Sequence, residues 1–291
     1  MEEYKMSIVT LKDALNRAKN GKYGIGAFNI SSFTFLETII KAAEDKKSPV
    51  ITQIAEGHVV DMPNFDSFCK AAVDMASKAS VPVVLHLDHG LTLNTVVRCI
   101  QNGFSSIMID ASAYPYEENI RRTKEIVNIC HSVGISVEGE LGTIGGSEAN
   151  IIKEEDAFTN PNEALDFVKK TEIDALAISI GNVHGNYKGE PKLDFERLET
   201  ISKLTNLPLV LHGGSGIYDD DFRKAVSLGI CKINFYTGNC KSAGKAVMDF
   251  IQEDPEKNGT DLMKLIKGIR NNVYETVCHN MDVFGSSNKA W

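Results

Sequence analysis

The sequence has 291 residues, of which 43% are hydrophobic and 24% charged, a composition that excludes a disordered chain. It carries 31 Lys and Arg against 39 Asp and Glu, for a formal net charge of −8 at pH 7. This acidic balance argues against a sequence-independent nucleic-acid binder, since such a protein needs a local excess of Lys and Arg. A single bound phosphate remains compatible with it, because backbone N–H groups can hold that anion.

No apolar run reaches the ~18 residues that a membrane span requires, and the first residues lack the basic and apolar regions of a signal peptide. The cysteines are scattered, without the spacing of a zinc finger or a redox motif. We therefore expect a cytoplasmic protein, without a membrane partner, whose cysteines are reduced core thiols. The cysteines are Cys69, Cys99, Cys130, Cys231, Cys240 and Cys278.

Short apolar runs alternate with amphipathic segments along nearly the whole chain. A run such as Pro82–Leu87 is mostly apolar without alternation, which is typical of a parallel sheet covered on both faces. In chain order, the predicted strands and the helix that follows each are Tyr23–Asn29 and Thr34–Glu44, Pro49–Ile54 and Phe65–Lys78, Pro82–Leu87 and Asn94–Asn102, Ser105–Asp110 and Glu117–Val133, Ser136–Leu141 and Pro161–Lys170, Ala175–Ile180 and Phe195–Leu204, Pro208–His212 and Asp219–Leu228, and Lys232–Phe235 and Gly244–Ile251.

Eight strand–helix pairs predict an α/β fold of the (β/α)₈, or TIM, barrel type. A doubly wound open sheet is the alternative, but no G-x-G-x-x-G motif follows the first predicted strand. A further helix is predicted over about Thr260–Val283. We expect one domain over residues 1–291, with the barrel in about 1–252 and a C-terminal helical extension in about 253–291.

Histidines follow three of the predicted strands, at the end of the barrel where active sites form. His89, His184 and His212 each precede a glycine. Three neutral imidazoles with an open fourth position suit a catalytic Zn²⁺, whereas any one of them alone would be read as a hydrogen-bonded histidine of the barrel rim. Because His86 alternates with Leu87 and Asp88, we expect it to point the same way as Asp88, in a supporting or structural role.

Carboxylates stand beside these histidines. Asp88 is a candidate acid–base group, because a neighbouring cation would keep it ionised; the alternative is a group that orients a histidine. Glu140 is either a further metal ligand or part of an ion pair at the rim. Glu148 follows a glycine pair, and the neighbouring residues alone predict an exposed loop glutamate.

Glycines after the seventh predicted strand suggest a phosphate site. The segment Gly213–Gly216, with Asn234 and Thr237 after the eighth strand, occupies the place where barrels often hold a phosphate. Glycine lets backbone N–H groups approach an anion, and hydroxyl groups add donors. Taken alone, the glycine run indicates only a tight turn.

Together these motifs resemble the class II, metal-dependent ketose-bisphosphate aldolases, a family that includes fructose-1,6-bisphosphate and tagatose-1,6-bisphosphate aldolases. They fall in the family's order and cover nearly the whole chain, from Ala27 to Asn288. The motifs are His86-Leu87-Asp88-His89-Gly90, Met108-Ile109-Asp110, Glu138-Gly139-Glu140-Leu141-Gly142, Gly181-Asn182-Val183-His184-Gly185, His212-Gly213-Gly214-Ser215-Gly216 and Lys232-Ile233-Asn234.

The resemblance implies a lyase of carbohydrate metabolism and glycolysis. It would cleave a ketose 1,6-bisphosphate, most simply fructose 1,6-bisphosphate, reversibly to dihydroxyacetone phosphate and an aldehyde such as glyceraldehyde 3-phosphate. The implied cofactors are Zn²⁺, acting as a Lewis acid that stabilises an enediolate, a second metal and a monovalent cation, Na⁺ or K⁺. A homodimer or homotetramer is also implied. No lysine stands where a strand end would bury it, which argues against a Schiff-base route.

The resemblance also implies roles for individual residues. The three histidines become the zinc ligands, and Asp88 becomes the acid/base for the aldehyde oxygen. Glu148 becomes the loop base for the dihydroxyacetone phosphate carbon, in place of an exposed loop residue. Asp110 and Glu140 correspond to ligands of an alternative or second metal. The implied phosphate, cation and substrate residues are Asn29, Gly185, Lys188, Gly213, Gly214, Ser215, Asn234 and Thr237.

The sequence departs from the family pattern around the aldehyde half of the site. Tyr236, Ala55 and Leu91 replace residue types expected there. The dihydroxyacetone phosphate half is therefore predicted to be standard, while the aldehyde is left open. Arg270 is a candidate ligand for a distal phosphate, in its own or a neighbouring subunit. The alternatives are an aldolase for tagatose 1,6-bisphosphate or a deoxy sugar-acid phosphate, and a non-catalytic barrel subunit.

Overall fold

The computed structural model describes residues 7–59, 62, 64–148, 151–153, 158–187, 189–253 and 260–291. The strands in these ranges are β1 (Ile25–Asn29), β2 (Val50–Ala55), β3 (Val83–Gly90), β4 (Ser106–Ile109), β5 (Ser136–Leu141), β6 (Gly146–Glu148), β7 (Ile151–Lys153), β8 (Ala175–Ile178), β9 (Leu209–Leu211) and β10 (Ile230–Asn234). Eight of these described strands close into a parallel barrel in the order β1-β2-β3-β4-β5-β8-β9-β10, and β6 and β7 form an antiparallel ribbon. The predicted barrel is confirmed.

Helices lie between the strands and cover the outside of the barrel. The helices in the described part of the chain are α1 (Leu11–Gly21), α2 (Phe33–Lys46), α3 (Glu56–Val59), α4 (Phe65–Lys78), α5 (Leu93–Gln101), α6 (Tyr116–Ser132), α7 (Pro161–Thr171), α8 (Phe195–Thr205), α9 (Asp219–Ser227), α10 (Thr237–Glu253) and α11 (Leu262–Val283). Among the described residues, no helix is both long and apolar enough to cross a membrane.

The amino end of the barrel is closed by α1. Its residues Leu11 and Leu15 are fully buried in a cluster with interior residues of the strands, among them Ile25, Val84 and Val210. The helix begins at an N-cap, where the Thr10 side chain accepts a hydrogen bond from the Asp13 N–H at 3.1 Å. An amphipathic helix thus supplies the apolar face that fills this end of the barrel.

Four features differ from the sequence prediction. The helices α1 and α3 and the β6–β7 ribbon were not predicted. Helix α10 begins at Thr237, whereas the prediction began it at Gly244. Its first turn was not predicted because it contains Gly238 and Asn239, which are weak helix formers. The C-terminal α11 ends at the predicted Val283 and packs against α2, with Tyr274 donating a hydrogen bond to Asp45 at 2.8 Å.

Candidate active site

A bulge in β3 turns two consecutive side chains into the barrel. The pairing of β3 with β4 shifts between Leu87 and Gly90, and His89 adopts a left-handed backbone with φ of 43°. Neighbouring strand residues normally point to opposite faces, so the bulge is what lets both Asp88 and His89 face the interior. Gly90 is required here, because a Cβ at this position would lie 2.5 Å from the Met108 carbonyl oxygen.

The three predicted metal histidines converge at the carboxyl end of the barrel. His89, His184 and His212 are buried, and each offers a ring nitrogen within 4.8 Å of the others. The His89 Nε2 and His212 Nδ1 atoms are 3.0 Å apart, and the ring centroids of His89 and His184 are 4.9 Å apart. The geometry is that of a candidate metal centre built from residues that follow or end β3, β8 and β9.

Carboxylates orient two of these imidazoles. Asp110 lies 2.8 Å from Nδ1 of His89, and Glu138 lies 2.9 Å from Nε2 of His212, which leaves the remaining nitrogens facing each other. Burial alone would lower the pKa of His89, but the charges of Asp88 and Asp110 and the hydrogen bond to Asp110 outweigh it and raise this pKa to about 10. Burial and the charge of His89 lower the pKa of His212 well below its usual value.

Asp88 is held by two amides. Asn29 Nδ2 donates to one carboxylate oxygen and Asn234 Nδ2 to the other, each at 3.0 Å, and Gln53 Nε2 donates to Asn29 Oδ1 at 2.9 Å. Burial would raise the pKa of Asp88, but the charges of His89, His212 and Lys232 together with the Asn29 hydrogen bond lower it to about 2. Asp88 is therefore an ionised, fixed carboxylate beside the histidine cluster.

Asp110 and Glu140 lie on the other side of His89. With His89 they form a second buried group whose candidate ligand atoms are within 4.8 Å of one another. Ser112 Oγ lies 2.7 Å from Asp110 and 2.9 Å from Glu140, and Asn119 donates to the Glu140 backbone oxygen at 2.9 Å. The structure thus brings both predicted carboxylates to the edge of the histidine cluster.

The glycine segment after β9 faces the start of α10. Gly213 has φ of 64°, and a Cβ there would lie 2.3 Å from the Val183 carbonyl oxygen, so no other residue fits. Gly214 N–H donates to the Asn234 carbonyl at 3.1 Å, and Gly238 N–H donates to Ser215 Oγ at 2.9 Å. The segment therefore lies against the first turn of α10, whose N–H groups can bind an anion.

The loop after β8 is fastened to the same segment. Tyr187 Oη accepts from the Val183 N–H at 3.1 Å and donates to the Gly213 carbonyl at 3.0 Å. Gly185, with φ of 83°, lies in this loop, and Thr237 is the first residue of α10. Lys188 lies outside the described residues.

Glu148 is placed only by its backbone. It ends β6, where it pairs with Ile151 of β7, so the predicted loop is a short ribbon. The ribbon starts just after Gly145, whose carbonyl oxygen accepts from the His184 N–H at 2.8 Å. The base of the ribbon is thus attached to the histidine cluster.

A charged layer that the sequence prediction missed lies under the histidines. Glu138 and Lys232 are fully buried, and Lys232 Nζ donates to Glu138 Oε2 at 2.8 Å. The sequence prediction considered only lysines at strand ends, whereas Lys232 is buried in the middle of β10, two positions before Asn234. Glu138 lies two positions before Glu140, and Lys232 lies two positions before Asn234. Because strand residues two positions apart point to the same face, the predicted site residues could have indicated that Glu138 and Lys232 also face the barrel interior.

Among the residues that depart from the family pattern, an aromatic contact joins the ends of two strands. His58 in α3 and Tyr236 after β10 lie with ring centroids 5.0 Å apart, flanking the end of β1. Ala55 is fully buried and pairs in register with Asp88. The Leu91 side chain is 46% exposed, while its N–H donates to Glu56. No sequence pattern pointed to His58.

Arg270 does not join the site within the chain. Its guanidinium forms an ion pair with Glu37 of α2, with about half of each side chain exposed. His86 faces inward as expected, with Nδ1 2.8 Å from Ser106 Oγ, and it takes no part in the histidine cluster. His131 lies on α6, where Nε2 is 2.8 Å from Asp174.

Comparisons with known proteins agree over nearly the whole chain. The profile of the family described as "Fructose-bisphosphate aldolase class-II" matches residues 9–289. A fructose-bisphosphate aldolase of Geobacillus stearothermophilus is 44% identical over 291 residues, covering 98% of this chain and 99% of that protein. A probable fructose-bisphosphate aldolase of Bacillus subtilis (strain 168) is 43% identical over 288 residues, covering 98% of this chain and 100% of its own.

A solved structure is similarly close. The X-ray crystal structure of the YdjI aldolase from Escherichia coli K12 matches with a TM-score of 0.87 and 39% identity. It covers 98% of this chain and 100% of that one. The similarity therefore extends to both the barrel and the C-terminal helices.

Proposed function

The chain belongs to the class II fructose-bisphosphate aldolase family, and from this we propose that it cleaves fructose 1,6-bisphosphate reversibly to dihydroxyacetone phosphate and glyceraldehyde 3-phosphate. The observation that carries the proposal is the convergence of three buried histidines directly beside a fixed, ionised aspartate. Burying polar groups lowers the stability of the fold, so this arrangement argues against a barrel subunit without catalytic function.

The donor set fits Zn²⁺, and we propose that His89, His184 and His212 hold it. Three imidazole nitrogens that leave a position open are a ligand set of catalytic zinc sites. Carboxylates fix the ring orientation of His89 and His212, as metal-binding histidines require. When bound, Zn²⁺ supplies Lewis-acid polarisation of the ketose carbonyl.

We further propose a second metal position at His89, Asp110 and Glu140, whose buried ligand atoms lie close enough to share an ion. Carboxylate oxygens suit a harder divalent cation than the histidine cluster does. A monovalent cation, Na⁺ or K⁺, is proposed near Gly185, Lys188 and Gly213. Its support is the family resemblance of these positions.

Asp88 is proposed to move the proton of the aldehyde oxygen. In cleavage its carboxylate takes the proton of the C4 hydroxyl, and in condensation it returns that proton. Its pKa, lowered to about 2, keeps it in the accepting form at neutral pH. Asn29 and Asn234 hold both oxygens, so the carboxylate is positioned before the substrate arrives.

The shared phosphate is proposed to bind between the segment Gly213–Ser215 and the first turn of α10. Backbone N–H groups there, with the hydroxyls of Ser215 and Thr237, supply donors without a net positive surface. Lys188 is proposed to add a charge. Glu148, carried by the β6–β7 ribbon, is proposed to exchange the proton on the dihydroxyacetone phosphate carbon.

The protein is also proposed to be a cytoplasmic homodimer or homotetramer. All six cysteines are free thiols, which suits a reducing compartment. Exposed apolar side chains on α10 and α11, such as Met248 at 57% and Met263 at 72% exposure, support burial against another subunit. Light scattering coupled to gel filtration measures the mass directly.

The proposed activity is tested by coupling cleavage of fructose 1,6-bisphosphate to NADH oxidation, with and without EDTA. We expect loss of activity on chelation, recovery with Zn²⁺, and loss in His89→Ala. The matched control is His131→Ala, on the outer helix α6. Cleavage activity that is unchanged by EDTA, or that is retained in His89→Ala, would exclude the metal-dependent mechanism.

A second candidate is an aldolase for another phosphorylated ketose. The observation that favours it is the contact between His58 and Tyr236, two rings that follow β2 and β10 on either side of β1, where the family resemblance puts the aldehyde half of the site. The test compares kcat/KM for fructose 1,6-bisphosphate, tagatose 1,6-bisphosphate and deoxy sugar-acid phosphates. A preference for fructose 1,6-bisphosphate over the others supports the first proposal and excludes the second.

A further inference from the structure

A chain of buried polar groups runs beneath the histidine cluster. Its first member, Glu138, orients the His212 ring, but the two residues behind it, Lys232 and His86, take part in no step proposed above. Glu138, Lys232 and His86 are all fully buried. Glu138 Oε1 accepts from His212 Nε2 at 2.9 Å, and its Oε2 accepts from Lys232 Nζ at 2.8 Å. The chain continues from Lys232 Nζ to His86 Nε2 at 3.3 Å, and from His86 Nδ1 to Ser106 Oγ at 2.8 Å.

The direction of each hydrogen bond follows from the donors available. An ammonium group only donates, so Lys232 donates to both Glu138 and His86, and the His86 proton must be on Nδ1. This agrees with the pKa of His86, which burial and the charge of Lys232 lower well below its usual value. A carboxylate only accepts hydrogen bonds, so His212 Nε2 must donate to Glu138 Oε1.

The bond to Glu138 decides which nitrogen of His212 faces the cluster. A neutral imidazole carries one proton, and here that proton is on Nε2. The lone pair of Nδ1 therefore points at His89 Nε2, 3.0 Å away, and accepts from Asn234 Nδ2 at 3.1 Å, a bond that requires the same tautomer. Only this tautomer presents a metal ligand at that position.

A buried ion pair is not needed to fill this space. Burying two charges costs several kcal/mol, and apolar replacements are often equally stable or more so. The neighbouring strands show such an apolar solution in register with the ion pair, since Met108 pairs with Glu138 and Val210 with Lys232, and both belong to one apolar cluster. The charged pair therefore has a purpose other than packing.

We propose that Glu138, held in place by Lys232, is a positioning residue that fixes His212 in the tautomer able to bind the metal. The inference rests on the proposed function in that the histidine cluster holds Zn²⁺. Lys232 is then the anchor of a positioning group and not a Schiff-base lysine.

The decisive variants are Glu138→Gln and the double variant Glu138→Gln/Lys232→Met. A glutamine has one acceptor oxygen, which the Lys232 ammonium takes, so its NH₂ group faces His212 and forces the proton onto Nδ1. In the double variant no ammonium competes, so the amide oxygen returns to His212. Its NH₂ group can then donate to His86 Nε2, since that atom is 3.5 Å from Glu138 Oε2.

Zinc affinity is measured by competition with a chelator, and the His212 tautomer by NMR of ¹⁵N-histidine-labelled protein. We expect Glu138→Gln to bind Zn²⁺ about 10–100-fold more weakly, with the His212 proton moved to Nδ1. The double variant should recover to within about threefold of wild type, with the proton back on Nε2. The matched control, Glu172→Gln/Lys124→Met, removes an ion pair between outer helices and should leave the affinity unchanged.

Unchanged zinc affinity in Glu138→Gln overturns the proposal, and so does a folded double variant that stays as weak as the single one. If Glu138→Gln does not fold, the double variant alone decides, because its buried groups are all paired. Aldol cleavage by wild-type protein is assayed separately. Zinc binding without cleavage overturns the proposed function alone, and a wild type that binds no Zn²⁺ overturns both.

Discussion

At the amino end of the barrel the strands turn apolar side chains inward, whereas at the carboxyl end the same strands turn charged and amide side chains inward. Strand β3 shows both, with Val84 in the apolar cluster and Asp88 at the site. Val210 and the following His212 repeat the contrast around β9. One period-two pattern along each strand therefore separates a region that stabilises the fold from a region that performs chemistry.

The two regions also differ in how they tolerate change. Apolar contacts are nondirectional, and their loss costs stability in proportion to the cavity left behind. The carboxyl-end groups are tied by specific hydrogen bonds, such as those from Asn29 and Asn234 to Asp88. Their loss changes orientation and charge first. Substitutions at the two ends should therefore separate activity from stability.

The largest effect is expected for Asp88→Asn at the carboxyl end. This change keeps the size of the side chain but removes the group that accepts the C4 hydroxyl proton, so kcat should fall about 10²–10⁴-fold. Stability should fall by about 1–3 kcal/mol, because Asn29 and Asn234 both donate to Asp88 and the new NH₂ group cannot accept either bond. The coupled assay and urea unfolding measure the two quantities, and a normal kcat would remove Asp88 from its proposed role.

Leu15→Ala makes the opposite change at the amino end. Leu15 is fully buried in α1 against the strands, so the variant should lose about 2–5 kcal/mol of unfolding free energy. Its kcat should remain that of wild type at temperatures where it is folded. The control is Leu262→Ala, where the side chain is 60% exposed. A fall in kcat in folded Leu15→Ala would break the contrast between the two ends.

Tyr236→Ala tests the division within the carboxyl end itself. Loss of the ring contact with His58, of the order of 0.5–1.5 kcal/mol, should change kcat/KM for cleavage by about 2–10-fold. Proton exchange into dihydroxyacetone phosphate, which needs no aldehyde, should stay at the wild-type rate. Tyr218→Ala, at an exposed position before α9, is the matched control. Equal changes in both reactions would contradict an aldehyde-side position for Tyr236.

The polar layer should also make stability depend on pH. The folded pKa of His86 lies well below the usual 6.5, so below that pH the unfolded chain binds a proton that the folded chain does not. Stability is therefore fully present above pH 6.5 and is lost as pH falls towards the folded pKa, at up to about 1.4 kcal/mol per pH unit. Urea unfolding between pH 5 and 7 should show this slope reduced in His86→Gln. An identical slope in both proteins contradicts the assignment.

The smallest effect is expected at the buried cysteines. Burial raises the pKa of Cys69 and Cys130 to about 12 and that of Cys231 to about 11. These thiols should resist iodoacetamide at pH 8 in the folded protein and react after unfolding. Cys240, which is only partly buried, should react first. Mass spectrometry after brief labelling gives the order, and early labelling of Cys231 would show that the amino end opens.

Most of the barrel could be predicted because its signals are local. Strands such as β5 and helices such as α4 were predicted to the residue, since apolar runs and amphipathic periods do not depend on distant partners. Helix α1 was missed although its signals are also local, an N-cap at Thr10 and apolar residues at helical spacing; it precedes the first strand and so falls outside the strand–helix pairs that were sought. The start of α10 was missed because a tertiary contact, Gly238 N–H to Ser215, stabilises a weak first turn.

The site was predictable where a side chain follows a strand end and less so where it lies deeper. The three histidines and Asp88 were named because their positions mark the rim. Glu138 and Lys232 were not assigned, since a charged residue within a strand reads as surface until its partner across the barrel is known. The contact of His58 with Tyr236 depends on how two rim segments meet, which no local pattern records.

The closure of the amino end by α1 has a kinetic consequence. With Leu11 and Leu15 sealing that end, the described part of the barrel has its opening on the opposite side, where the loops meet. A sugar that is cleaved there yields two fragments that share one exit. Both fragments must leave past the same rim loops, so the contacts at the carboxyl end, and not a path through the amino end, set the order of their release.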